Sequence, residues 1–213
     1  MQVAIVLYPG FTSLDVIGPY EVWGRLPETE VVFVAERPGL VVNDLRSLSV
    51  NVVAGFGDVP NPDVVLIGGG PGQTEQMSDG NLHEWLRRVD GASAWTTSVC
   101  TGSLILAAAG VLTGRRATSH WAALEHLAEF GVTPSKERVV IDGHYATAAG
   151  VSAGIDMALT LAGLLVGDDV AQTVQLIIEY APEPPYHAGA LESAPARVVE
   201  SAMEKLSTRF PSR

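Results

Sequence analysis

The residues TTSVCTGS, Thr96 to Ser103, hold the only cysteine of the 213-residue chain. An apolar strand pattern runs into Cys100 and a Leu- and Ala-rich helical pattern runs out of it. The side chain is therefore expected on a sharp strand-to-helix turn, with its sulfur toward the open face. The positive end of the following helix would favour thiolate over thiol, lowering the Cys100 pKa and supplying an attacking species. A small buried residue chosen for tight packing is the competing explanation. The elbow pattern, with Gly102 and Ser103 just after Cys100-Thr101, favours the nucleophile.

Three other groups could join it. Asp15, in TSLDVIGPYEVW, fits an N-terminal cap or a first-turn acid. Placed near the elbow, it could instead exchange a proton with the sulfur as general acid/base. Glu21, two turns on, is a weaker candidate that would only brace the site. The run LIGGGPG, Leu66 to Gly72, allows close approach of backbone amides, so the Gly70 amide, with one at Cys100 or Thr101, could stabilise developing negative charge. It could equally be a plain strand-to-helix loop, and without a Lys-Ser/Thr pair it is not a phosphate loop. His120, in ATSHWAAL, could pair with Cys100 as in a hydrolase, or sit at a helix start beside Trp121 and line a pocket.

These groups need a scaffold that brings distant loops together. Gln2 to Tyr8, Val31 to Ala35, Val64 to Ile67 and Ala94 to Val99 read as strands buried on both faces. Helical patterns alternate with them at Leu14 to Trp23, Asn81 to Val89 and Gly102 to Ala109. Trp121 to Phe130 reads as a helix capped by Gly131, Arg138 to Ile141 and Tyr145 to Ala148 as a hairpin, and Val151 to Val166 as an apolar helix. The expected fold is α/β: a flavodoxin-like doubly wound sandwich with a mostly parallel central sheet and a cysteine nucleophile elbow. Sites in such folds lie beyond the carboxyl ends of the strands. The loops at 9–15, 68–72 and 100–102 should then converge. Residues 1–213 are expected to form a single domain, with 181–213 a turn-rich segment leading to a C-terminal helix.

Composition narrows the chemistry. Apolar residues make up 47% of the chain and charged residues 17%, as in a well-buried globular protein. With 13 basic against 24 acidic residues, net charge −11, nucleic acid and anionic membrane surfaces are poor partners. A small uncharged organic substrate fits better. The amino terminus lacks the basic start of a signal peptide and no apolar run reaches the ~20 residues of a spanning helix, so a cytoplasmic location is expected. One cysteine forms no internal disulfide and builds no zinc site, and no metal is expected.

The motifs SLDVIGPYEVW, LIGGGPG, TSVCTGS, ATSHWA, GVSAGIDMALTL and QLIIEYAPEPPYHAG together resemble the ThiJ/PfpI superfamily, a class I glutamine amidotransferase-like group, and within it the isocyanide hydratase branch. The resemblance runs from Val3 to Ala194. It implies a homodimer, without cofactor, that adds water to an isocyanide to give an N-substituted formamide. By residue match, Cys100 would be the nucleophile, Asp15 its hydrogen-bonded acid/base and Thr101 the neighbouring elbow residue. Proteases and deglycase-like members often carry His after the cysteine; Thr101 stands there here, so peptidase activity is not expected. Related transcription regulators append a helix-turn-helix module of roughly 100 residues, and no such module is expected here. Two further readings stay open: glyoxalase-type hydration of α-oxoaldehydes, and a non-enzymatic cysteine redox sensor or ligand-binding protein.

Overall fold

The computed structural model describes residues 1–209, with side chains for 1–207. Contacts divide the chain into two compact units, Met1–Ile178 and Glu179–Arg213.

In the first unit, strands β1 (Gln2–Val6), β2 (Glu30–Ala35), β3 (Gly39–Val42), β4 (Ser49–Val52), β5 (Ala54–Gly55), β6 (Val64–Ile67), β7 (Trp95–Val99), β8 (Arg116–Ala117), β9 (Thr133–Pro134), β10 (Val139–Asp142) and β11 (Tyr145–Ala148) alternate with helices. These are α1 (Ser13–Trp23), α2 (Gln73–Gln76), α3 (Asn81–Asp90), α4 (Gly102–Ala108), α5 (Ala153–Val166) and α6 (Asp168–Ile177). The main sheet runs β10-β11-β7-β6-β1-β2-β5, parallel except for the β10–β11 hairpin. Its central strands β2-β1-β6-β7-β11 reproduce the flavodoxin order 2-1-3-4-5, so the topological switch point lies between β1 and β6.

Continuous burial explains the apolar runs: Val3 to Val6 and Val64 to Ile67 are all sealed from solvent. With the usual right-handed crossovers, this strand order sets α1 on one face of the sheet and α3 and α4 on the other. α5 returns to pack on α1. That contact accounts for the Gly18-Pro19 pair inside α1, because a Cβ on Gly18 would stand 3.0 Å from Ile155 and one on Gly154 3.2 Å from Pro19. The Trp23 indole N–H reaches across to the Ala158 carbonyl at 3.0 Å.

Several elements depart from expectation. The 121–130 stretch forms turns and a 3-10 segment, Leu124–Phe130, ended by left-handed Gly131. The last apolar helix starts at Ala153 rather than Val151. The β3–β4 hairpin and α6 were not anticipated. In β3 three apolar residues follow one another, Leu40 at 71% exposure and Val42 also exposed on either side of buried Val41, so the sequence hides the alternation that burial shows. α6 buries only Ala171 and Val174, too thin a stripe to stand out.

The second unit is turn-rich up to its helix α7 (Ala196–Arg209), whose residues Val198 and Met203 are exposed. Among the described residues no helix is long and apolar enough to cross a membrane.

Candidate active site

Cys100 follows β7 directly and adopts a left-handed backbone, φ +58°. For a residue with a Cβ this costs about 1 kcal/mol or more and persists only where neighbours fix it. Here they do. The Cys100 N–H donates to the carbonyls of Ala148 (3.0 Å) and Ala149 (2.9 Å). Its carbonyl accepts the hydroxyls of Ser103 and Ser119, both at 3.1 Å. The residue is 6% exposed, and the Val151 and Thr101 amides are the backbone groups that favour charge on its sulfur.

Asp15, in the first turn of α1, is fully buried. Oδ2 accepts the Gly69 N–H at 2.7 Å. Oδ1 is buried without a well-formed hydrogen bond, and the Cys100 thiol is the group that interacts with this carboxylate. Burial foremost pushes the Asp15 pKa up from 3.8 to about 7; the Gly69 amide and the Cys100 thiol oppose the rise, and the charge of Asp44 adds to it. The Cys100 thiol is also pushed upward, by burial first and then by the Asp15 charge, with the Val151 and Thr101 amides working the other way. The expected low-pKa thiolate is therefore corrected. The seven-residue α4 does not outweigh burial beside a carboxylate.

The glycine loop is keyed into both partners. A Cβ on Gly69 would lie 2.4 Å from Thr101 Oγ1 and 2.5 Å from Thr101 N. Gly70 has φ +132°, and its amide donates to Thr101 Oγ1 at 3.1 Å. The Gly70 amide, expected to face developing charge, is thus spent on holding the elbow; the amides at the sulfur are those of Thr101 and Val151. Gly69→Ala is expected to destabilise the fold by about 3 kcal/mol through overpacking. Chemical denaturation would read the loss, and an unchanged midpoint would show that the loops can separate without cost.

The other candidates sort clearly. Glu21 is half-exposed and paired with Arg25 at 2.6 Å, so it neither reaches nor braces the site. The His120 ring lies against Gly150, whose Cβ would meet it at 3.1 Å, and stacks at a tilt on Trp121 with centroids 5.5 Å apart. Its Nδ1 accepts the Ala122 N–H at 3.3 Å, and burial lowers its pKa, so the ring is neutral with its proton on Nε2. No Cys100–His120 hydrogen bond forms among the described residues. The pair that meets is Cys100 and Asp15.

Sequence reasoning missed three participants. Tyr8, buried at the end of β1, donates its hydroxyl to the Gly68 carbonyl at 2.7 Å and props the glycine loop. Ser119 is visible in ATSHWA but was passed over for its neighbour His120. Val151 acts through its backbone, which no residue type announces.

The chain matches the DJ-1/PfpI family model over residues 1–163. It is 42% identical to isonitrile hydratase of Pseudomonas putida over 205 residues, covering 96% of this chain and 90% of that protein. Among solved structures it resembles a ThiJ/PfpI family protein from Pseudomonas syringae, with TM-score 0.93 and 38% identity over 98% of this chain and 86% of that one. Drosophila melanogaster DJ-1beta shares the fold at TM-score 0.76 and 22% identity, over 85% and 98% of the two chains. A parallel sheet in flavodoxin order, a left-handed cysteine at the end of β7 and a family match over most of the sequence place this chain in the DJ-1/PfpI family.

Proposed function

We propose that this protein is an isocyanide hydratase, acting without cofactor through a covalent Cys100 thioimidate. The observation that carries the reading is the buried Asp15–Cys100 pair, together with near full-length similarity to an isonitrile hydratase.

The pair begins with the proton on sulfur and Asp15 ionised. As the isocyanide R–N≡C approaches, the thiol proton passes to Asp15, and sulfur attacks the terminal carbon. Asp15 delivers that proton to the same carbon, giving R–N=CH–S–Cys100 and regenerating the carboxylate. Asp15 next takes a proton from water while the oxygen adds to the imidate carbon, then passes it to nitrogen. Collapse of R–NH–CH(OH)–S–Cys100 breaks the C–S bond. The hydroxyl proton returns to sulfur by way of Asp15, and R–NH–CHO leaves. One carboxylate serves every transfer, which suits a pKa of about 7. The Val151 and Thr101 amides steady the sulfur while it is anionic, and Thr101 is pinned for that task by Gly70.

The sensor reading loses ground because it needs a low-pKa, accessible thiol, whereas Cys100 is buried and held protonated. Incubation with cyclohexyl isocyanide, following formamide formation against methylglyoxal consumption, tests the assignment. Formamide without methylglyoxal turnover supports it, and the reverse points to glyoxalase-type hydration.

The active form is proposed to be a cytoplasmic homodimer. A catalytic thiol favours a reducing compartment, and Leu164, Leu176 and Ile177 are exposed on α5 and α6. Light scattering at micromolar concentration should give twice the chain mass of 22.4 kDa. A monomer mass would count against the dimer and leave the chemistry standing.

A further inference from the structure

The β3–β4 hairpin stands outside the main sheet, yet its turn is bonded to the residues just ahead of Asp15. Asp44 N–H donates to the Phe11 carbonyl and Gly10 N–H to the Val42 carbonyl, both at 2.9 Å. Buried Asn43 donates from Nδ2 to Ser13 Oγ at 2.9 Å, accepts the Leu48 N–H on Oδ1 at 3.1 Å and donates its own N–H to the Leu48 carbonyl at 2.9 Å. The turn is therefore closed on itself and fixed to the start of α1. One of these contacts carries charge. Thr12 Oγ1 donates to Asp44 Oδ2 at 3.4 Å, and the Thr12 carbonyl accepts the Asp15 N–H at 3.2 Å.

The scaffold does not require an acid at this point, since an asparagine oxygen would accept the Thr12 hydroxyl as well. Asp44 is only partly buried. Resting on the acid/base reading of Asp15, we infer that Asp44 is a positioning residue whose negative charge, fixed against the start of α1 through Thr12, favours proton uptake by Asp15 and so strengthens the carboxylate as the base that takes the Cys100 proton. The amino end of α1 pulls the opposite way, toward the carboxylate, and Asp44 offsets that pull.

Among the described residues, the titratable groups that interact with Asp15 are the Cys100 thiol from the elbow, the Tyr8 phenol from just after β1 and the Asp44 carboxylate from the hairpin. Tyr8 and Cys100 are both pushed up and neutral at rest, so Asp44 supplies the fixed charge among them. Its effect on Asp15 is in the direction proposed.

The test reads Asp15 directly, so that it does not depend on which reaction the enzyme catalyses. Carbon-13 NMR of protein labelled at Asp carboxyl carbons would follow the Asp15 titration, with its resonance assigned by its loss in Asp15→Asn. Asp44→Asn should lower the Asp15 midpoint by roughly half a pH unit, the size expected of one partly screened charge nearby. Asp44→Glu, which keeps the charge, should leave the midpoint near that of the parent protein. With isocyanide as substrate, the acid limb of kcat/KM should move down by the same amount, raising relative activity at pH 5.5 roughly threefold. Asp44→Ser provides a second neutral variant. An Asp15 midpoint unchanged in both neutral variants would overturn the proposal. An NMR shift without any isocyanide turnover would uphold the role of Asp44 and sink the hydratase reading instead.

Discussion

Cys100→Ala is expected to abolish formamide formation, a loss of about a million-fold that leaves only background hydration, while the protein stays folded. The change removes one buried sulfur and keeps a Cβ, so the left-handed backbone at 100 meets no new demand. Its anchors to Ala148, Ala149, Ser103 and Ser119 all use main-chain atoms of residue 100 and survive. Mass spectrometry of the wild-type enzyme quenched during turnover should show an adduct on Cys100 equal to the whole isocyanide, since thiol addition loses no atom. Retained turnover in the alanine variant would exclude covalent catalysis. An adduct short of the isocyanide mass would exclude the thioimidate.

Asp15→Asn should separate activity from stability. The rate is expected to fall by about 10²- to 10⁴-fold, the usual loss of a general acid/base, while the folded state at pH 8 becomes more stable. The sign follows from linkage. Asp15 holds its proton more tightly in the folded protein, at a pKa of about 7 against 3.8 when exposed. Folding is therefore favoured by this group at low pH, and that contribution is lost as pH rises from about 4 through about 7. Three pH units at about 1.4 kcal/mol each set a ceiling of about 4 kcal/mol for the ionised side chain's penalty at pH 8. An asparagine carries no such penalty, and its amide oxygen still accepts the Gly69 N–H. Thermal melts at pH 8 and pH 4 should show a stabilised variant at the first and little difference at the second. A variant less stable than wild type at pH 8 would mean that the carboxylate is better solvated than its burial implies.

The parts of this site that depend on residue type were open to sequence reasoning. Val64 to Ile67 and Ala94 to Val99 declare buried parallel strands, and their carboxyl ends place the glycine loop and Cys100 side by side. Asp15 is the acid at the start of the helix after β1, next to the switch point. What escaped depends on three-dimensional environment. Helix-end electrostatics suggested an acidic thiol, but burial beside a carboxylate reversed the shift. Val151 serves through a backbone amide, so its valine side chain gave no signal. Asp44 follows a strand in which exposed Leu40 and Val42 flank buried Val41, an apolar run that conceals the alternation of a half-buried strand, and its link to Asp15 runs through a residue about thirty positions earlier, Thr12. Glu21 looked close along the helix but turns outward to Arg25.

The glycines at 69, 70 and 102 bear on how this enzyme could be re-engineered. Each occupies space already taken by another segment's backbone or elbow: Thr101 at Gly69, Gly10 and Thr12 at Gly70, and the Ile67 carbonyl, 2.2 Å from a Cβ, at Gly102. A randomised library spread across these loops would mostly sample misfolded variants, and recombination between relatives with crossovers inside the interlocked segments would break pairs that only work together. Diversity aimed at a new R group belongs on side chains outside these interlocked segments. The three loops should be inherited as one cassette.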